Sequence, residues 1–165
     1  MAEYEKITQV FEPVFDAHAK ILILGSLPSV KSREEGFYYG HPRNRFWKVL
    51  SGVLAWKEPV FIEEKKEMLL KNHVALWDVI ESCEIKGSSD SSIRNVVPAK
   101  IHKLLEHTEI TDIFVNGQTA GRLYKKFIQK QTGIEATVLP STSPANAAYS
   151  LERLLEEWRK ITVSF

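Results

Sequence analysis

Three features of this 165-residue chain predict an α/β fold, a three-layer α/β/α sandwich around a central four-stranded, mainly parallel sheet. Short apolar runs alternate with stretches of helical periodicity. The first run, Ile21-Leu22-Ile23-Leu24, is continuous rather than alternating, as in a strand buried on both faces. Polar turns follow three of the runs: Gly25-Ser26, Asn116-Gly117 and Pro140-Ser141.

The elements follow in order. After the strand at 21–24, residues 44–54 read as a helix, with Phe46, Trp47, Leu50 and Leu54 on one face. Residues 62–71 form a second helix, acidic at its start and basic at its end, which suits the helix macrodipole. Residues 74–77 give a second strand. Residues 83–95 hold Gly87 and several serines without a clear period, and read as a surface loop. Pro98 can open a helix whose apolar face is Ile101, Leu104 and Leu105. Residues 111–115 form the third strand, 118–131 a helix and 137–139 the fourth strand. Residues 147–161 close the chain as a helix, with Leu151, Leu154, Leu155, Trp158 and Ile161 at helical spacing.

Composition bounds the rest. The length fits one domain, residues 1–165, with a full core. A formal net charge of +1 gives no global nucleic-acid signature, so any phosphate binding must come from local patches. One cysteine, Cys83, excludes an intrachain disulfide and any cysteine-based metal cluster. The first ten residues lack the apolar run of a signal peptide, and no window reaches 18 apolar residues, so no membrane span is expected. No Walker loop or Gly-x-Gly-x-x-Gly is present, and His102 and His107 lack metal spacing. No metal or cofactor is expected, and a monomer is.

Parallel sheets place ligands at the carboxyl ends of their strands, so the three polar turns should converge on one crevice. Asn116 is either a turn residue before Gly117 or a carboxamide facing that crevice, with one acceptor and two donors for the lactam edge of a base. Ser26 lacks the Gly-x-Ser-x-Gly elbow of a nucleophile.

Residues 38–47 hold Tyr38, Tyr39, His41, Arg43, Asn44, Arg45, Phe46 and Trp47 in one turn. Rings beside an amide and basic groups suit a flat ligand on a phosphate backbone. Tyr38 and Tyr39 are core residues or a stacking platform. Asn44 caps the following helix or offers its carbonyl oxygen to a water. Arg43, Arg45 and Lys48 are a solvated face or, with Lys31 and Arg33, a phosphate-facing patch. Ser141, Thr142, Ser143 and Asn146 can bind phosphate, and Asn146 is the default cap of the last helix.

These blocks resemble the uracil-DNA glycosylase superfamily over roughly residues 18–161. His41-Pro42-Arg43-Asn44-Arg45-Phe46-Trp47-Lys48-Val49-Leu50 is similar to a turn and helix of the mismatch-specific uracil/thymine glycosylases. Gly25-Ser26-Leu27-Pro28-Ser29 resembles the first motif, and Val138-Leu139-Pro140 with Ser141-Thr142-Ser143-Pro144-Ala145-Asn146 resembles the second. Two departures stand out: Leu27 replaces the usual catalytic amide or acid, and Ser141 stands where the uracil-specific branch starts its motif with histidine. The combination is most similar to the hypoxanthine-DNA (deoxyinosine) glycosylase branch.

The resemblance implies a monofunctional DNA N-glycosylase of base-excision repair, acting on hypoxanthine or uracil in DNA. It would work in the cytoplasm and nucleoid of a prokaryote or the nucleus of a eukaryote. It implies Asn44 for the water and Asn116 for the base edge, with Tyr39 stacking on the flipped base. Backbone N–H groups near Ser26 and Leu27 would bind the base carbonyl. Arg43, Arg45, Ser141, Thr142, Ser143 and Asn146 would lie near phosphate, and Ala145 at the wedge position. The rival from another class is an inactive nucleic-acid-binding module of the same fold. A small esterase using Ser26 and His41 is the third reading.

Overall fold

The computed structural model describes residues 3–27, 30–87 and 89–164. Pro28, Ser29 and Ser88 of the segments singled out above lie outside the described residues, as does the side chain of Lys31.

The central sheet has the expected size and is wholly parallel. Its strands are β2 (Ile21–Gly25), β3 (Val74–Asp78), β6 (Asp112–Asn116) and β7 (Ala136–Leu139), in the order β3-β2-β6-β7. Every residue of β2 is buried. Ile21 and Ile23 enter one core with Phe46, Leu50, Met68, Leu154 and Trp158. Leu22 and Leu24 enter a second core with Ile101, Leu104, Leu123 and Tyr124. One core underlies α2 (Phe46–Val53), α3 (Ile62–Lys71) and α7 (Leu151–Trp158). The other underlies α4 (Ile101–Leu105) and α5 (Gln118–Phe127). This is the three-layer α/β/α sandwich. A short helix α1 (Val30–Glu35) follows β2, and α6 (Gln129–Thr132) follows a break at Ile128. Among the described residues, no helix is long and apolar enough to cross a membrane.

The expected loop at 83–95 is corrected. Its ends, residues 83–86 and 94–95, belong to a second, antiparallel sheet of β1 (Tyr4–Thr8), β4 (Ile80–Lys86) and β5 (Arg94–Pro98), in the order β1-β4-β5, while Gly87 and residues 89–93 between them form the connecting turn. Register shifts at Ser82 break the period-two pattern of β4, and a bulge of this kind hides a strand from sequence periodicity. In β1 only Ile7 is buried, which leaves no alternation to detect. The last helix is also corrected. It starts at Leu151, and the Ser150 hydroxyl accepts from the Arg153 N–H as its cap. Asn146 instead donates to the Ser141 carbonyl at 2.9 Å and closes its own turn.

Candidate active-site cleft

The carboxyl ends of β2, β3, β6 and β7 open into a cleft of about 1140 Å³. Gly25, Ser26, Leu27, Tyr39, Asn44, Asn116 and Ser141 through Ser143 border it, with Ala145 and Asn146 at its rim. The turns separated in sequence do converge, as the strand-end rule requires.

The floor is a hydrogen-bonded chain through Thr142, which is fully buried. The Thr142 N–H donates to Asn116 Oδ1 at 3.1 Å, and Asn116 Nδ2 donates to Thr142 Oγ1 at 3.0 Å. The Thr142 hydroxyl then donates to Asn44 Oδ1 at 2.8 Å. Asn44 Oδ1 also accepts the Phe46 N–H at 3.0 Å. Backbone N–H groups only donate, so they fix the orientation of both carboxamides. Gly117 makes the approach possible: its φ is +96°, and a Cβ there would fall 3.2 Å from the Ser141 Cβ.

This geometry revises the expected roles. Asn44 is not the cap of α2, whose N-cap position is Arg45; it accepts the Phe46 N–H from just ahead of the helix and borders the cleft, but two donors already occupy its carbonyl oxygen. Its Nδ2 end is what remains for a water. Asn116 has its acceptor and one donor committed to Thr142, leaving one N–H. Thr142 is an internal linker rather than a surface group for phosphate.

Both tyrosines border the cleft, but Tyr38 is a core residue. Tyr38 is 2 % exposed and its hydroxyl donates to the Glu12 carbonyl at 2.8 Å. The Tyr39 ring lies on Phe46, centroids 4.0 Å apart and planes 15° from parallel. Its φ of +53° is a left-handed value that a tyrosine adopts only when its surroundings enforce it. The Tyr39 hydroxyl is buried, and no group meets it with good hydrogen-bond geometry, although the Asn116 amide approaches it.

Arg45 does not face solvent phosphate. Its Nη1 donates to the Tyr149 carbonyl, and its Nη2 to the Ser143 and Asn146 carbonyls at 3.2 and 3.1 Å. It clamps the 141–149 turn onto α2. Arg43 is exposed, and its N–H donates to His41 Nδ1 at 3.0 Å, so in neutral His41 the ring proton sits on Nε2. The Ser141 and Ser143 hydroxyls accept from the Ser143 and Ala145 N–H groups, both at 3.1 Å. These two N–H groups are therefore occupied, and the helix amino end expected at this turn lies instead at Leu151. Ala145 is exposed at the turn's tip.

Asp78 and Gln9 are missing from the residues expected above. Asp78 ends β3 beside Gly25, is 3 % exposed and borders the cleft. Its Oδ2 accepts from Gln9 Nε2. Burial pushes its carboxyl up to about 7, against hydrogen bonds from the Gln9 side chain and the Gly25 backbone. Its place after the apolar run 74–77 is the same signal that selected Asn116. Gln9 carries no such signal, because its position depends on β1.

Comparison with known proteins agrees with the geometry. The family model of the uracil DNA glycosylase superfamily matches residues 12–162. A hypoxanthine DNA glycosylase from Methanosarcina acetivorans is 36% identical over 157 residues, covering 94% of this chain and 98% of the relative. One from Methanosarcina barkeri is 32% identical over 140 residues, covering 84% and 87%. The fold is similar to a candidate uracil DNA glycosylase from Methanosarcina acetivorans, solved by solution NMR. That match has a TM-score of 0.78 at 32% identity, over 94% of this chain and 98% of that one.

Proposed function

The chain belongs to the uracil DNA glycosylase superfamily, and from that premise we propose that its cleft excises deaminated bases, hypoxanthine foremost, from DNA. The protein is a DNA glycosylase: it hydrolyses the N-glycosidic bond and leaves an abasic site. The observation that carries the site assignment is the Asn116–Thr142–Asn44 chain in the same cleft that the Tyr39 ring borders.

The target base leaves the stack at a cost of a few kcal/mol, least when it is mispaired. Tyr39, backed by Phe46, supplies a flat surface for it. As the bond breaks the sugar becomes an oxocarbenium-like cation, and the base takes up negative charge. Donors aimed at that charge and a placed water carry the rate. Asn44 Nδ2 orients the water as a donor. A reactive cation needs a water in position more than a strong base, which makes the apolar Leu27 compatible with turnover.

The remaining Asn116 N–H and the backbone at Ser26 and Leu27 face the base. Arg43, Ser141, Ser143 and Asn146 lie along the strand, with Ala145 beneath the vacated stack. Arg45 supports this face without touching phosphate. The protein acts as a monomer wherever the DNA is, in the nucleoid or the nucleus.

Duplexes carrying hypoxanthine or uracil, incubated with the protein and then treated with alkali, test the activity. Strand scission at the lesion is expected. Binding without scission would instead identify an inactive binding module. Asn44→Ala is expected to keep DNA binding and lose most excision. Unchanged single-turnover cleavage would remove Asn44 from the chemistry.

A further inference from the structure

Asp78 is a buried carboxyl group at the edge of the cleft whose two oxygens have different surroundings. Gln9 Oε1 accepts the Phe11 N–H at 2.8 Å, and a backbone N–H can only donate. Gln9 must therefore turn its Nε2 toward Asp78, where it donates to Oδ2. That holds Oδ2 as an acceptor and leaves Oδ1, beside the Gly25 backbone that also bonds this carboxyl group, as the oxygen to carry a proton. Oδ1 lies 2.6 Å from the point a Cβ on Gly25 would occupy, and the Tyr39 hydroxyl lies 2.8 Å from the same point. Gly25 has no side chain to separate them, so both atoms stand at the tip of β2, on the cleft that Gly25, Tyr39 and Asp78 border.

We propose that Asp78 is a catalytic acid, delivering the proton on Oδ1 to the departing base, with Gln9 as its positioning residue. The proposal rests on the glycosylase reading of the cleft. The C1′–N bond breaks and its electron pair withdraws into the base. The Oδ1–H bond breaks, and the proton passes to a ring nitrogen or carbonyl oxygen of the base, which leaves neutral. Water adds to C1′ and loses one proton to solvent, and solvent returns a proton to the Asp78 carboxylate.

The titratable groups facing Asp78 are the phenols of Tyr38 and Tyr39, both of which feel its charge. Arg33, Glu34 and His41 border the same cleft. Burial is the dominant influence keeping the proton in place up to about pH 7.

The test is single-turnover excision of hypoxanthine, uracil and 5-fluorouracil from duplexes, between about pH 5.5 and about pH 9. Wild type is compared with Asp78→Asn, which keeps the shape, and with Gln9→Leu. The wild-type rate is expected to fall as pH rises through about 7. Asp78→Asn should abolish that fall and slow hypoxanthine excision about 100-fold or more. Its defect should shrink to about tenfold or less on 5-fluorouracil, whose more acidic ring leaves without a proton. Gln9→Leu should be slower and should move the falling limb to higher pH.

A wild-type rate that is flat or rising through neutral pH overturns the proposal, and needs no variant to fold. So does an Asp78→Asn defect equal on uracil and 5-fluorouracil, the mark of a structural role. An unmoved limb in Gln9→Leu removes Gln9 from it. Wild type that excises none of these bases overturns the glycosylase reading itself, and this proposal with it.

Discussion

The Thr142 hydroxyl donates to Asn44 Oδ1 at 2.8 Å across a separation of 98 residues, and so fixes the turn before α2 to the turn after β7. The same hydroxyl accepts from Asn116 Nδ2, so one oxygen sets both amides that face the cleft. Thr142→Val keeps the shape and removes this link. It takes the acceptor from Asn116 Nδ2 and leaves Asn44 Oδ1 with the Phe46 N–H alone, which costs about 1–3 kcal/mol. Urea unfolding should show that loss, and single-turnover excision at a temperature where the variant is folded should fall further. Thr142→Ser should recover most of both. Excision unaffected in Thr142→Val would mean that the amides keep their places without it.

Asp78 also sets a pH dependence of stability. Its folded pKa, about 7, lies above the ordinary carboxyl value near 3.8, so the folded state binds the extra proton between those values. Stability then decreases as pH rises from about 4 to about 7, and levels off above that. Asp78→Asn, which never ionises, should be more stable than wild type at pH 8. The gain should be on the order of a few kcal/mol, fading toward pH 4. Thermal unfolding at several pH values reads the difference directly. A gap that widens on acidification would contradict the burial argument.

Gly25→Ala tests how closely the cleft edge is packed. The new Cβ would fall 2.6 Å from Asp78 Oδ1 and 2.8 Å from the Tyr39 hydroxyl, closer than such atoms approach, so one must move. Overpacking of this kind costs about 1–3 kcal/mol. Excision should drop more than stability, because the displaced groups border the substrate. An active, equally stable Gly25→Ala would show that the edge yields freely.

The sheet was readable because β2, β3 and β6 bury residues on both faces and so write continuous apolar runs into the sequence, while the edge strand β7 buries only Leu139 and is marked by the Pro140 that stops it. The second sheet was not. A bulged β4 and a β1 with one buried residue leave no period, and their pairing is fixed only in three dimensions. The same divide runs through the site. Asn44, Asn116 and Tyr39 were marked by residue type at a turn or strand end. What their atoms do was set by Thr142, read beforehand as a phosphate-binding hydroxyl. Gln9 reaches Asp78 across 69 residues from just past β1, a strand the sequence hides. Arg45 and Arg43, two apart and alike in the sequence, differ only in which carbonyls happen to lie within reach.

That difference predicts opposite behaviour. Arg43 is exposed beside the cleft, and Arg45 holds three backbone carbonyls of the 141–149 turn. Neutralising a phosphate contact reduces the slope of log affinity against log salt by about 0.9 on duplex DNA. Arg43→Ala should show that reduction with little change in stability. Arg45→Met should leave the slope almost unchanged, and should destabilise the fold by about 1.5–3 kcal/mol for each charge-assisted bond that finds no substitute. It should also slow excision, since the turn it holds carries Thr142. Salt titrations of binding to an abasic-site duplex, with chemical unfolding of the same variants, separate the two arginines. A reduced salt slope in a fully stable Arg45→Met would return Arg45 to the phosphate face.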